Sequence, residues 1–353
     1  MRLKHLDGLR GVLALAVAAS HTFGFFTGWA ADRPLVGARM AVMLFFVLSG
    51  SVLSGYLERT QERPARFVVT RFLRLWPLHA GCLVGACAGF ALLRAHGEYA
   101  PAIDMADPIT LLFNFAFLAR LGIRNVELIN DPSWTIGIEF WVSALVLPAL
   151  YRAPRGVVVA VIVAGAAALA TAGHVFYGAY LAPHVSAGLI SAIEAMAIGT
   201  LIYRSTRADG AFTEAGSGIL RTPVYYAGAA LVLVSLYVAP TYLRELVGLV
   251  GFLPFLFVRA FEKNGDALRA VLNSRVAQWL GAISFPLYLS HMPVQIVMLP
   301  AMRALTTSHA ASIVILIGGS LVAAWLLQVG FERPVEALAK KRRAAWTDQT
   351  ARA

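Results

Sequence analysis

The chain has few charged residues. Asp, Glu, Lys and Arg make up 14% of its 353 residues, against about a quarter in a typical soluble domain. Cysteine is also scarce: Cys82 and Cys87 lie in one apolar stretch, with neither a disulfide framework nor a zinc-like ligand set around them. We expect both to be packing residues. Hydrophobic residues make up 59% of the sequence, so an ordinary soluble globular domain is excluded.

Long apolar segments recur along the whole chain, as in a polytopic membrane protein. They predict an all-α bundle of about ten transmembrane helices, with spans near 11–30, 35–56, 75–95, 136–152, 156–173, 186–203, 223–239, 243–260, 277–300 and 311–330. The apolar segment 109–121 is shorter than the roughly 20 residues that a span needs. We predict a re-entrant or interfacial helix there, since irregular backbone at membrane depth survives only when it is buried in protein.

Lysines and arginines set the predicted orientation, because basic loops stay on the cytoplasmic side. With ten spans, both termini lie on the side that holds most of the 30 basic residues, and seven lie opposite: Arg33, Arg39, Arg94, Arg120, Arg124, Arg244 and Arg303. This bias largely disappears if 109–121 crosses the membrane. Both termini are therefore predicted to be cytoplasmic, and the net charge of +11 is explained by orientation rather than by nucleic-acid binding.

His21 is an ionisable residue inside the first apolar run, eleven positions after Arg10. That distance is about 16 Å of helix, or half of a hydrocarbon core of about 30 Å. Arg10 is then at one membrane face and His21 near the midplane. A buried intramembrane imidazole usually faces the bundle interior and marks chemistry or transport. A core histidine hydrogen-bonded between helices is the structural alternative.

Several motifs follow one another in a recognisable order: LDGLRGVLALAVAASH, FFVLSGSVL, RFLRLWP, PSWTIGIEFW, LGAISFPLYLSHMPV and FERP. Their order and spacing resemble acyltransferase family 3, the membrane O-acyltransferases that acylate sugars and other exported molecules. The resemblance extends from Leu6 to about Pro334. It implies a multi-pass protein of the bacterial inner membrane that moves an acyl group, expected to be acetyl, from cytosolic acyl-coenzyme A to a carbohydrate hydroxyl at the outer side.

The same resemblance implies the partners and the domain organisation. Acyl-CoA is expected as co-substrate rather than as a permanently bound cofactor, and a carbohydrate or lipid-linked glycan as acceptor, with no metal and no nucleic acid. Residues 1–335 form the expected transmembrane acyltransferase domain and 336–353 a basic cytoplasmic tail. The esterase-like periplasmic domain that family members often carry is not expected.

His21 and Arg10 match the Arg-x10-His signature of the family, in which the histidine is the proposed catalytic residue. Histidine suits the chemistry, because transfer to a hydroxyl needs a base that takes up the hydroxyl proton. The resemblance implies that Arg10 binds the donor or organises the site. A membrane anchor at the start of the helix is its plainer explanation.

Arg71 and Arg74 lie one helical turn apart and share a face. Guanidinium groups bind phosphates bidentately, which suits the phosphates of coenzyme A. On sequence alone, positive-inside anchoring explains them better; the resemblance to the family, through its RxxR-x-x-P pattern, makes donor binding an equal alternative. His79, about a turn deeper, is a third candidate for this group.

The resemblance and the position near the outer side add further candidates for substrate binding: Ser49, Ser133, Trp134, Glu139, Tyr288 and His291. Tyr288 and His291 lie three positions apart on one helical face, with His291 at a depth similar to that of His21. Pro286 and Pro293 are predicted to kink or open this helix. Packing or capping roles remain the alternatives for the whole set.

Two buried carboxylates need partners. Glu194 falls in the middle of a span, and a histidine or an arginine is its expected partner; Glu332, at the end of the last span, is expected to pair with a nearby arginine. A second class of function uses the same residues, since a permease could relay protons through His21, Glu194 and His291. No internal repeat is visible, which disfavours inverted-repeat transporters.

Small residues indicate close helix packing in the third span. Gly81, Gly85 and Gly89 form a GxxxGxxxG face, a pattern that lets two helices approach closely in a membrane. We therefore expect a neighbouring helix to cross there.

Overall fold

The structure is a computed structural model that describes residues 3–27, 33–98, 103, 107–172, 180–182, 184–208, 221–238, 241–335 and 337. Its α-helices are, in chain order, α1 (Lys4–Thr27), α2 (Met40–Thr60), α3 (Pro64–Ala95), α4 (Pro108–Phe115), α5 (Trp134–Trp141), α6 (Leu147–Arg152), α7 (Arg155–Ala172), α8 (Ala187–Ala208), α9 (Thr222–Tyr237), α10 (Tyr242–Phe252), α11 (Val258–Asn264), α12 (Asp266–Leu272), α13 (Arg275–Leu305) and α14 (His309–Leu327). A short antiparallel hairpin, β1 (Tyr180–Ala182) and β2 (Val185–Ser186), precedes α8.

Within these described residues, seven helical segments are long and apolar enough to cross a membrane: Lys4–Thr27, Val36–Thr60, Pro64–Ala95, Asp131–Arg152, Ala187–Thr206, Arg275–Leu305 and His309–Val335. Two shorter apolar helices, Arg155–Thr171 and Thr222–Tyr237, coincide with predicted spans. The predicted span 243–260 corresponds to α10 and the turns that follow it. The helical membrane architecture agrees with the prediction. The count of ten and the cytoplasmic termini stay predictions, and the tail 336–353 lies outside the described residues apart from Ala337.

Helix α4 is too short to cross a bilayer. Its eight residues rise about 12 Å, which agrees with a re-entrant or interfacial segment. Asp107 caps its start by accepting hydrogen bonds from Ile109 N at 3.1 Å and Thr110 N at 2.9 Å. Hydrogen bonds from the Thr110 hydroxyl and backbone, and from Ile109, lower the pKa of this carboxyl. The helix therefore begins at a well-formed N-cap.

The other end of α4 is held by side-chain donors from the neighbouring helices. Trp76 Nε1 donates to Phe115 O at 2.9 Å, and Trp141 Nε1 donates to Phe117 O at 3.0 Å. His79 Nε2 lies 2.9 Å from Asn114 O. These contacts satisfy backbone carbonyls that have no partner within α4 itself. They also place the imidazole of His79 against α4, so the structure does not group it with the two arginines.

Two π-helical segments widen otherwise regular helices. Val142–Val146 joins α5 to α6 just before Pro148, and Gln328–Glu332 extends α14. A π-turn inserts an extra residue into the helical repeat, and such turns are common at functional sites. Both segments carry polar side chains that reach the candidate site described below.

Glycine contacts set the closest helix crossings. A Cβ atom on Gly11 of α1 would lie 2.5 Å from Gly281 N of α13, and one on Gly50 of α2 would lie 2.3 Å from Met196 O of α8. Gly199 of α8 is tighter still, because its Cβ would lie 2.0 Å from Val47 O. Glycine at these positions lets the helix backbones approach more closely than any residue with a side chain would permit.

The prediction that Gly81, Gly85 and Gly89 of α3 pack against a neighbouring helix is wrong for the central residue, Gly85. Gly81 and Gly85 are exposed at the surface of the described chain, and a Cβ on Gly85 would meet nothing within 4 Å. Only Gly89 has a close neighbour, the side chain of Val297. The GxxxG spacing states which residues share a face, and it leaves open which direction that face points.

Gly199→Ala is expected to destabilise the protein by about 1–3 kcal/mol, because the new methyl group overlaps backbone that cannot rotate away. Gly85→Ala is the matched control, since its methyl group enters open space and alanine favours a helix by about 1 kcal/mol over glycine. The measurement is the thermal unfolding midpoint of the purified proteins in one detergent. Equal midpoints for the two variants would contradict the α2–α8 crossing.

A candidate active site along one face of helix α13

Helices α1 and α13 run parallel and keep one register from their glycine contact to the site. Small and apolar side chains pack between the two ends of this contact, with α14 behind them: Ala14, Ala18, Leu280, Ile283, Leu287 and Ala324. His21 and His291 each follow the contacting glycine, Gly11 or Gly281, by ten residues. Because the two helices rise equally, both histidines arrive at one level about 15 Å further along.

His21 and His291 are in direct contact. Nε2 of His291 lies 3.0 Å from Nδ1 of His21, and the ring centroids are 5.0 Å apart. His291 is 0% exposed, whereas His21 keeps partial accessibility. The structure thus brings together two residues that the sequence placed at a common depth, with His21 on the accessible side of the pair.

Tyr288 connects the histidines to the next level of the bundle. Its ring centroid lies 6.2 Å from that of His291 and 5.9 Å from that of Phe45 on α2, which meets it edge-on. Its hydroxyl lies 3.0 Å from Thr135 Oγ1 on α5. Tyr288 therefore ties α13 to α2 and α5 directly beneath the histidine pair.

Glu139 gathers polar groups from two neighbouring helices, one turn along α5 from Thr135. Its Oε1 accepts hydrogen bonds from Arg71 Nη2 at 2.9 Å and from Ser49 Oγ at 3.0 Å. Arg71 Nε also donates to Ser143 Oγ at 3.1 Å. Arg71 is thus buried and committed to protein partners, in a network that joins α2, α3 and the first π segment.

Arg74 lies at a third level of the site, after the histidine pair and the level of Tyr288 and Glu139. It is beside the π-helical segment Gln328–Glu332. Its Nη1 is 3.2 Å from Glu332 Oε1, and its guanidinium lies 5.9 Å from the centroid of the Phe285 ring. This ion pair confirms the expectation that Glu332 pairs with an arginine. Arg10 is within electrostatic range of both Arg74 and Glu332, so two of the predicted arginines share this end of the site.

One face of α13 links the three levels. Phe285, Tyr288 and His291 are spaced three residues apart, a spacing that places side chains on a common helical face. Phe285 contacts Arg74, Tyr288 lies beside Thr135 and Phe45, and His291 contacts His21. The result is a line of polar groups from the predicted cytoplasmic level of Arg10 to the depth of His21.

Pro286 and Pro293 were expected to kink or open α13, and the helix does not open at either residue. α13 is continuous from Arg275 to Leu305, although Pro286 and Pro293 lack the N–H groups that would reach the carbonyls four residues earlier. Asn130 Nδ2 donates to one of these carbonyls, Leu289 O, at 2.7 Å. Gln328, with its amide nitrogen turned toward it, donates to the other, Ala282 O, at 2.7 Å.

Ser133 and Trp134 lie at the start of α5, above Thr135. Both are buried, and the Trp134 ring packs against α8, where a Cβ on Gly188 would lie 2.9 Å from a ring carbon. Their neighbour Thr135 touches the histidine level through Tyr288, whereas the Trp134 ring faces another helix. The structure therefore places both candidates next to Thr135 in sequence, with the Trp134 ring packed against α8.

Glu194 has a different partner from the one expected. It is 1% exposed, and its Oε1 accepts a hydrogen bond from the Tyr242 hydroxyl at 2.7 Å. The prediction of a histidine or an arginine is wrong for this contact. Tyr242 belongs to α10, so Glu194 joins α8 to α10 instead of joining the histidine pair.

The supporting residues that sequence reasoning missed include Thr135, Ser143, Asn130 and Gln328. Ser143 lies one turn after Glu139, which is a weak signal that the two share a face. Asn130 and Gln328 give no local signal, since their targets are 159 and 46 residues away in sequence. Among the described residues, no group of three or more His, Cys, Asp or Glu side chains is placed to hold a metal ion.

Comparison with known proteins covers nearly the whole chain. A family model described as an acyltransferase domain, that of acyltransferase family 3, matches residues 3–329. The chain is also similar to "Protein 2 in picA locus" of Rhizobium radiobacter, with 33% identity over 154 residues, which are 40% of this chain and 78% of that protein. No solved structure matches it.

Proposed function

This chain belongs to acyltransferase family 3, and from that premise we propose that it moves an acetyl group from cytosolic acetyl-coenzyme A to a carbohydrate hydroxyl at the outer side of the bacterial inner membrane. Membership of the family makes it a membrane acyltransferase. The donor, the acceptor class and the membrane are our proposal. The observation that carries it is the polar line on α13, which ends at an accessible histidine half a membrane away from Arg10.

Arg10, Arg71 and Arg74 have different roles near the proposed binding site for acetyl-coenzyme A. The side chain of Arg74 is 35% exposed and that of Arg71 only 10%. We propose that Arg74, with Arg10 nearby, receives the phosphates of the donor, because accessible guanidinium groups suit phosphate. Arg71 has a different role in this proposal, since its guanidinium is largely buried and holds Glu139 and Ser143 in place.

The reaction in this proposal is a transfer assisted by a general base. His21 takes the proton of the acceptor hydroxyl as its oxygen attacks the thioester carbonyl carbon. The new C–O bond forms, the C–S bond breaks, and the leaving thiolate receives the proton from His21. The products are the ester and free coenzyme A thiol. The histidine returns to its starting state without any other reactant.

The permease hypothesis has less support in this geometry. Its relay needs Glu194 near the two histidines, and Glu194 is hydrogen-bonded to Tyr242 on α10 instead. The His21–His291 contact joins only two of the three groups that the relay would use.

Surface carbohydrates of a deletion strain test the proposed function. We expect their mass spectra to lose signals heavier by one acetyl group, and expression of the wild-type chain to restore these signals. The His21→Ala chain, produced at the same level, is expected not to restore them. Unchanged spectra after deletion, or full restoration by His21→Ala, would contradict the proposal.

A further inference from the structure

The contact between the histidines is asymmetric. His291 is fully buried on α13, and His21 is partly accessible on α1. The nitrogens that meet are Nε2 of His291 and Nδ1 of His21, 3.0 Å apart. A neutral imidazole has one nitrogen that donates and one that accepts, so the partners of the remaining atoms decide which way the hydrogen bond runs.

The partner of the other nitrogen fixes the tautomer of His291. Its Nδ1 lies 3.0 Å from the backbone carbonyl of Leu287, one turn earlier on the same helix. A carbonyl oxygen only accepts, so the neutral ring carries its proton on Nδ1. Nε2 of His291 then carries the lone pair and can only accept.

The tautomer of His21 follows from that of His291. Nδ1 of His21 faces two acceptors, the lone pair on His291 Nε2 and the carbonyl of Val17, each at 3.0 Å. The proton of the neutral ring therefore lies on Nδ1, and Nε2 is the basic nitrogen. The hydrogen bond made by one ring nitrogen sets the protonation of the other.

We infer that His291 is a positioning residue for His21: by accepting a hydrogen bond from Nδ1–H, it holds His21 in the tautomer whose Nε2 can take a proton. This inference rests on the proposed function, in which that proton comes from the acceptor hydroxyl. Once Nε2 is protonated, Nδ1–H still donates to His291 and to Val17. The hydrogen bond is then made by a charged donor, so it is strongest in the state that the reaction must reach.

Two replacements of His291 separate this role from packing. His291→Leu fills much of the space and cannot accept a hydrogen bond, whereas His291→Gln offers Oε1 as an acceptor. We expect Leu to lower kcat roughly tenfold to a hundredfold, the size of a lost hydrogen bond to a charged group, with KM for acetyl-CoA nearly unchanged. Gln is expected to recover most of the lost kcat. Equal kcat values for the Leu and Gln variants, or an effect on KM alone, would overturn the inference.

A spectroscopic measurement tests the tautomer of His21 in the wild-type protein. It requires no replacement of His291 and does not depend on enzyme activity. The wild-type protein, labelled with ¹⁵N-histidine, is expected to show an unprotonated Nε2 and a protonated Nδ1 for His21, assigned by the signals that disappear in His21→Ala. A protonated Nε2 on neutral His21 would overturn the inference even if the enzyme were active. If the tautomer is as expected and wild-type protein transfers no acyl group, the proposed function fails and the assignment of the hydrogen bond stands.

Discussion

Replacing His21 by alanine is expected to lower kcat for acyl transfer by roughly 10²- to 10⁴-fold, the usual contribution of a general base. The substitution removes the partly accessible member of the histidine pair and leaves the polar line below it in place. Because Arg74 and Arg10 are untouched, KM for acetyl-CoA should stay near the wild-type value. The measurement is release of coenzyme A thiol by purified protein, with cell-envelope carbohydrate as acceptor.

His96→Ala is the matched control for this experiment. His96 is exposed just after the end of α3, and its Nδ1 lies 2.9 Å from the carbonyl of Leu92 in that helix. Its activity should equal that of the wild type. A His21→Ala protein that folds normally and retains more than about a tenth of wild-type kcat would contradict the role of base, since general-base catalysis contributes at least about a hundredfold.

Arg71→Leu is expected to lower the free energy of unfolding by about 3 kcal/mol. Removing one member of a buried ion pair leaves the other charge without compensation and typically costs about 3–5 kcal/mol. We place the effect at the lower end because the Glu139 side chain retains 17% exposure. Arg71→Leu combined with Glu139→Gln removes both charges and should recover at least half of the loss. Unfolding in a detergent titration measures all three proteins.

Arg152→Leu serves as the control. Arg152 is exposed at the end of α6, and its Nη1 donates to the carbonyl of Pro148, one turn earlier, at 3.1 Å. Substitutions at such surface positions usually change stability by about 0.5 kcal/mol or less, so this variant should unfold close to the wild type. A double variant no more stable than Arg71→Leu alone would show that Arg71 stabilises by packing rather than by neutralising Glu139.

Depth along a helix could be predicted from sequence, because rise per residue is constant. His21 lies eleven residues after Arg10, and His291 lies thirteen after Gln278; these counts predicted similar depths, and the two rings are in contact. The shared face of Tyr288 and His291 follows from periodicity in the same way. Helical periodicity does not predict how each helix is rotated about its axis relative to its neighbours.

That missing rotation explains the predictions that were wrong. Glu194 was given a charged partner, and its helix instead turns it toward Tyr242. Gly85 was given a packing helix, and its face points outward. The prolines of α13 were expected to kink or open the helix; it does not open, and amides from Asn130 and Gln328 satisfy the carbonyls that the prolines leave without an N–H donor. The contacts of Glu194 and of the two α13 carbonyls depend on residues that are distant in sequence.

Membrane vesicles of defined orientation test the central claim most directly. Inverted vesicles expose the cytoplasmic face, so acetyl-CoA labelled in the acetyl group and added from outside should label carbohydrate inside them. Right-side-out vesicles given the same donor should stay unlabelled, as should inverted vesicles that contain His21→Ala. Label in inverted vesicles that depends on His21 is the predicted result. Equal label in both orientations, or label that persists without His21, would contradict the account.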